Sequence, residues 1–141
     1  GDSFGNVALR AFGGDNGAAG TVYRQMASQG TGRGTLTVDN NNITTGTNVY
    51  TELPPMIPDS PADILLGVPL IITNKAYVAL TTNVIMRDLF LRTNTAARLY
   101  LKGYTLKLMT KFHLDWGNAN WVVYDGGQII WITPGSVYVV Y

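Results

Sequence analysis

Cysteine is absent from the 141 residues, His113 is the single histidine and Glu52 the single glutamate. No disulfide framework and no thiolate metal site can therefore be built, while the compartment stays open, because secreted proteins without cysteine are common. Charge is scarce as well. Asp, Glu, Lys and Arg make up 13% of the chain and the net charge is +1, against about 25% charged residues in an ordinary globular chain. No run of Lys or Arg is dense enough to displace phosphate counterions, which argues against nucleic-acid binding. A surface so poor in charge does little to hold copies apart, which favours self-association. Long apolar runs are missing too: residues 62–72 are too short to span a bilayer and are cut by Gly67 and Pro69. No signal-peptide pattern stands at Gly1, so a secreted protein is expected here in processed or excised form.

What the sequence does have is alternation. Over residues 70–108 apolar side chains recur at every second position in short bursts: Leu70 and Ile72, Tyr77 and Ala79, Leu89 and Leu91, Leu99 and Leu101, then Tyr104, Leu106 and Leu108. That is strand spacing with one face inward. Asn74, Asn83, Asn94 and Gly103 separate the bursts, and these residue types tolerate the left-handed backbone of a tight turn. Further strands are predicted at residues 6–12, 21–26 and 34–39, the last with Leu36 and Val38 inward. Residues 84–91 would pass for a helical turn, too short to stand alone. Residues 44–61, with Pro54, Pro55, Pro58 and Pro61, read as an irregular excursion because proline lacks a backbone donor. From Trp116 to Tyr141 the chain turns aromatic, with Asp125-Gly126-Gly127 as a hairpin or corner between two strands.

By size, residues 1–141 form a single all-β domain. Two architectures fit: a parallel β-helix (solenoid) interrupted by the Pro-rich excursion, or an antiparallel β-sandwich. Corners nine to eleven residues apart suit both. The segment GGDNGAAGTVYRQ (residues 13–25), followed by GTLTVDNN (residues 34–41) and alternating runs, resembles the Gly-Ala-Ala-Gly-Thr segments of large secreted bacterial surface proteins of adhesin type. Gly17-Ala18-Ala19-Gly20-Thr21 is the most specific part of the likeness, and the Pro-rich and aromatic stretches depart from it. The resemblance implies a right-handed parallel β-helix, an extracellular or cell-surface location and a structural or adhesive task. It brings no catalytic residues.

Titratable groups suited to catalysis are few. His113 and Asp115 would share one strand face, as an oriented general base would require, but no activated serine stands near them in a nucleophile turn. In a polysaccharide-degrading β-helix, glycoside hydrolysis would need paired carboxylates from Asp88, Asp115 and Asp125 to meet across strands. A polysaccharide lyase would need a basic residue with Ca²⁺-binding acids, roles for Arg87-Asp88 or Arg92. Arg-Asp neighbours on a strand are more simply a solvated edge. Asp39-Asn40-Asn41-Asn42 and Asp15-Asn16-Gly17 offer oxygen ligands for a hard cation, yet neither matches a calcium-loop spacing, and turn chemistry accounts for both. The glycines of residues 30–34 lack the Lys-Ser/Thr ending of a phosphate loop. The expectation is thus a non-enzyme without metal or cofactor. Its partners would be copies of itself, through Val137, Tyr138, Val139, Val140 and Tyr141, an almost uniformly β-branched and aromatic strand. Alternatively it is a carbohydrate-binding module, in which Trp116, Trp121, Tyr124 and Trp131 stack on sugar faces.

Overall fold

The structure, a computed structural model, describes residues 9–30, 33–53, 68–92, 95–109 and 121–131. It is all-β. The strands are β1 (Thr21–Arg24), β2 (Thr35–Asp39), β3 (Thr51–Glu52), β4 (Pro69–Thr73), β5 (Tyr77–Ala79) and β6 (Val84–Met86). They continue as β7 (Asp88–Leu91), β8 (Arg98–Tyr100), β9 (Thr105–Leu108), β10 (Val122–Val123) and β11 (Gln128–Trp131).

The strands form three sheets, ordered β1-β2-β4-β7, β10-β8-β5-β3 and β11-β9-β6. Consecutive strands are seldom partners: β4, β5 and β6 enter the three sheets in turn, and β7, β8 and β9 revisit them in the same order. Every described pairing is parallel except β1 with β2, which is antiparallel. The hairpins of an antiparallel sandwich do not account for this pairing. Parallel partners need a long connection between them, and here that connection is itself made of strands in the other two sheets.

The register lines up like residues. Leu36, Leu70 and Leu89 are neighbours across the first sheet, as are Val38, Ile72 and Leu91. Val78, Leu99 and Val122 align in the second sheet, and Val84, Leu106 and Ile129 in the third. Most of these side chains lie in one buried cluster, with Leu36 and Ile129 packed at its edge. Burying a side chain of this size stabilises the fold by about 1.5–3 kcal/mol.

Turns stack as the strands do. Asn74 and Lys75 adopt positive φ, as do Ala96, Lys102, Gly103, Asp125 and Gly126. The Asn42 N–H donates to the Asn74 carbonyl, and the Lys75 N–H donates to that of Thr95. Asn40 is fully buried and knits the Gly-rich segment to β2. Its Oδ1 accepts from the Gly13 N–H, and its Nδ2 donates to Gly17 O, Ile43 O and Thr45 Oγ1. Gly34 is required for space: a Cβ there would come within 2.2 Å of the Arg24 carbonyl oxygen.

Several expectations need correction. In the Tyr77 and Ala79 burst the inward row is Ala76, Val78 and Leu80, all at most 2% exposed, while Tyr77 is half-buried on the other face. Tyr104 is exposed, although Leu106 and Leu108 are inward as expected. Residues 84–91 are not helical but two strands, β6 and β7, bent apart at Arg87. Within the excursion at residues 44–61, Thr51–Glu52 is a strand and Leu53 is fully buried. The prolines there lie outside the described residues. Of the two readings of Asp125-Gly126-Gly127, hairpin or corner, the structure takes the corner, since β10 and β11 belong to different sheets. Residues 9–12 are not in a strand, and β1 ends at Arg24.

Candidate functional site

The outer face of the second sheet carries a column of large polar-tipped side chains. Val78, Leu99 and Val122 point inward and are buried, so the residues before and after each of them point out. Tyr77 and Arg98 are register partners, as are Ala79 and Tyr100. Tyr50, immediately before β3, and Trp121, immediately before β10, extend the row containing Tyr77 and Arg98.

These rings and cations are in contact. Tyr50 and Tyr100 meet edge to face with centroids 4.6 Å apart, and Tyr77 lies 5.9 Å from Tyr100. The Arg98 guanidinium sits 5.4 Å from the Tyr77 ring centroid and 5.8 Å from that of Trp121. Lys102, held at φ 53 in the corner after β8, returns its Nζ to 4.4 Å from the Tyr50 ring and 5.6 Å from the Tyr100 ring. A cation over an aromatic face gains about 0.5–1 kcal/mol at an exposed site and more where water is excluded. Hydrogen bonding with Tyr100 raises the Arg98 pKa, against the opposing effect of burial, and the Tyr77 and Tyr100 oxygens add to the rise. Arg98 Nε and Trp121 Nε1 are buried without a hydrogen-bond partner. The surface therefore offers flat rings with guanidinium and ammonium charge beside them, and is suited to holding a ligand by stacking.

Of the aromatics expected to bind sugars, Trp121 belongs to this column and also packs against the core. Tyr124 is exposed at the corner after β10, and Trp131 ends β11 in the third sheet. Trp121 and Trp131 thus stand on different sheets. Trp116, together with Val137, Tyr138, Val139, Val140 and Tyr141, lies outside the described residues, as do His113 and Asp115. Tyr50, Tyr77 and Tyr100 escaped the sequence reading because they sit in separate bursts, and only the pairing of β3, β5 and β8 brings them together. Their one local signal is an aromatic beside a short inward aliphatic row.

The acidic candidates are dispersed. Asp88 opens β7, is nearly buried and pairs with Arg87 at 3.6 Å, so it is not the solvated edge that its sequence neighbours suggest. Asp125 is exposed at the corner between β10 and β11. Asp39 Oδ1 accepts from the Asn41 N–H and from Asn74 Nδ2, and Asn40 is spent inside the protein. Among the described residues no group of three or more His, Asp or Glu could hold a metal ion, and no helix is long and apolar enough to cross a membrane.

Compared with known proteins, the chain matches no family model, no curated protein and no solved structure.

Proposed function

We propose that this chain is a non-enzymatic, extracellular structural or adhesive module, built as a parallel β-helix and able to assemble with copies of itself. The observation that carries the reading is the recurring register. Thr73 and Thr95 are 22 residues apart in sequence and touch, and Gln128 and Thr105 are 23 apart and hydrogen-bonded. From β4 onward the chain returns to the same sheet after 19 to 23 residues, and the longer returns of 34 and 27 residues enclose the prolines of the excursion. This is the pattern of a stack of coils, each rising by the strand spacing of about 4.8 Å. A stack of this kind ends in rows of strand N–H and C=O groups that must be capped or met by another copy. At one end of the first sheet β1 covers β2 in antiparallel fashion. In the other two sheets β10 and β11 stand at the edge of the described strands. Low charge leaves little repulsion between copies. Sedimentation velocity over a wide concentration range, with negative-stain imaging, tests the reading. Concentration-dependent species and elongated assemblies are expected, and a strictly monomeric protein at high concentration would overturn the assembly.

A second reading, glycan binding, is favoured by the column of Tyr50, Tyr77, Tyr100 and Trp121. Aromatic faces stack on the apolar faces of sugars, and a surface column on a stack of coils suits an extended chain. A glycan array with Tyr77→Ala and Trp121→Ala tests it. Loss of binding supports the reading, and unchanged binding removes this face from it.

A further inference from the structure

The outer face of β1 and β2, in the first sheet, forms one side of a cleft of about 410 Å³ whose other side is the segment around Arg10 and Phe12. Val22 and Thr37 are register partners across its floor, and Arg24 ends β1 beside them. Arg10 and Arg24 both line this cleft. Neither makes an ion pair or a side-chain hydrogen bond among the described residues. The single carboxylate in the lining, Asp39, has Oδ1 already engaged by the Asn41 N–H at 2.7 Å and by Asn74 Nδ2 at 3.0 Å. Neutral donors leave the Asp39 charge in place, so the lining carries two cations against one anion. Phe12, 45% exposed, presents an uncovered ring at its rim.

We propose that this cleft binds an acidic sugar unit, of the uronic-acid class, through its carboxylate. Guanidinium is a planar fork whose geometry matches a carboxylate bidentately, and such charge-assisted bonds are about twice as strong as neutral ones. The Phe12 ring supplies the flat apolar surface that the C–H face of a pyranose needs. With its Nδ2 given to Asp39, Asn74 keeps its amide oxygen as an acceptor for a ring hydroxyl, and Asn41 offers its exposed side chain. The volume lies within the range of about 300–1,000 Å³ typical of small-ligand sites. A neutral sugar would offer the two arginines no charge-assisted bond. A nucleic-acid backbone would require a longer run of cations than two arginines provide. The site is separate from the aromatic column on the second sheet and does not depend on assembly.

The test is titration of the full chain with trigalacturonate, followed by calorimetry and by chemical-shift changes. Neutral galactotriose and inorganic sulfate serve as comparison probes. Trigalacturonate is expected to bind and to weaken as salt is raised. The double variant Arg10→Gln/Arg24→Gln should lose about tenfold or more in affinity, and Phe12→Ala should lose severalfold, while galactotriose should not bind. Lys107→Gln, which removes a charge from the third sheet, should bind as the unaltered chain does. Circular dichroism confirms that each variant folds, which is expected because Arg10, Phe12 and Arg24 are exposed. The proposal is overturned by no binding at ~10 mM, or by equal binding of galactotriose. It is overturned equally by a double variant that binds unchanged, and by sulfate binding as tightly as trigalacturonate with no dependence on Phe12.

Discussion

Tyr50 and Tyr100 stack edge to face at 4.6 Å between ring centroids, with the Lys102 ammonium above both rings. Tyr50 lies just before β3 and Tyr100 ends β8, two strands that both pair with β5 and lie on either side of it. The contact thus spans three strands of one sheet and ties them together from outside. An edge-to-face pair contributes about 0.5–1.5 kcal/mol beyond the area it buries. A double-mutant cycle on Tyr50→Ala and Tyr100→Ala, read by urea unfolding, should give a coupling of about that size. Additive losses would mean that the two rings are independent in solution.

Asn40 is the most demanding polar position described. Its side chain is fully buried, with one bond accepted by Oδ1 and the two Nδ2 hydrogens shared among three acceptors. Asn40→Ala would strand the Gly13 N–H and the acceptors around Nδ2, at about 1–3 kcal/mol for each buried group left unsatisfied. Asn40→Asp should be at least as damaging, because it sets a carboxylate oxygen against three acceptors. Thermal and urea unfolding of both variants check this; a change within about 0.5 kcal/mol, the size usual for surface substitutions, would show that the network is not formed.

Leu99 stands between Val78 and Val122 in the buried cluster. Leu99→Ala should cost about 2–5 kcal/mol, as deletion of a buried leucine leaves a cavity that neighbours on adjacent strands cannot fill. Ile130→Ala, at a position 37% exposed, should cost much less. Equal losses at the two positions would contradict the inward assignment of Leu99.

Arg98 carries a pKa raised above its ordinary value, chiefly by hydrogen bonding with Tyr100. A group whose folded pKa is raised contributes stability that is full below its unfolded pKa and is lost only as pH rises through the folded one. Both values lie in the high arginine range, so the contribution is constant between about pH 5 and 9. The stability difference between the unaltered chain and Arg98→Gln should therefore be flat across that window. A slope there would assign the linkage to another group.

Much of the inward face was legible in the sequence. Leu70 and Ile72, Leu89 and Leu91, Leu99 and Leu101, and Leu106 and Leu108 are all buried as the alternation requires. The reading failed at Tyr77, where both rows of the strand are apolar. A two-residue period defines two faces without saying which is inward. At residues 84–91 three apolar residues on either side of Arg87-Asp88 satisfy a helical and an extended pattern alike, and the structure takes the extended one. At Asp125-Gly126 the positive φ was legible from residue type, but a hairpin and a corner use the same backbone.

By itself the sequence determined that the chain is extended and bends at Asn74, Gly103 and Asp125, and which leucines are covered. These follow from side-chain alternation and local backbone sterics, which act within a few residues. Only the tertiary structure decided that strands pair in parallel across the chain, that Tyr50, Tyr77 and Tyr100 form one surface, and that Arg10 and Arg24 line one cleft. Those contacts join segments whose local preferences are silent about each other, and strand hydrogen bonds are made by a backbone common to every residue. The partner of a strand is therefore chosen by how the whole set of inward side chains packs.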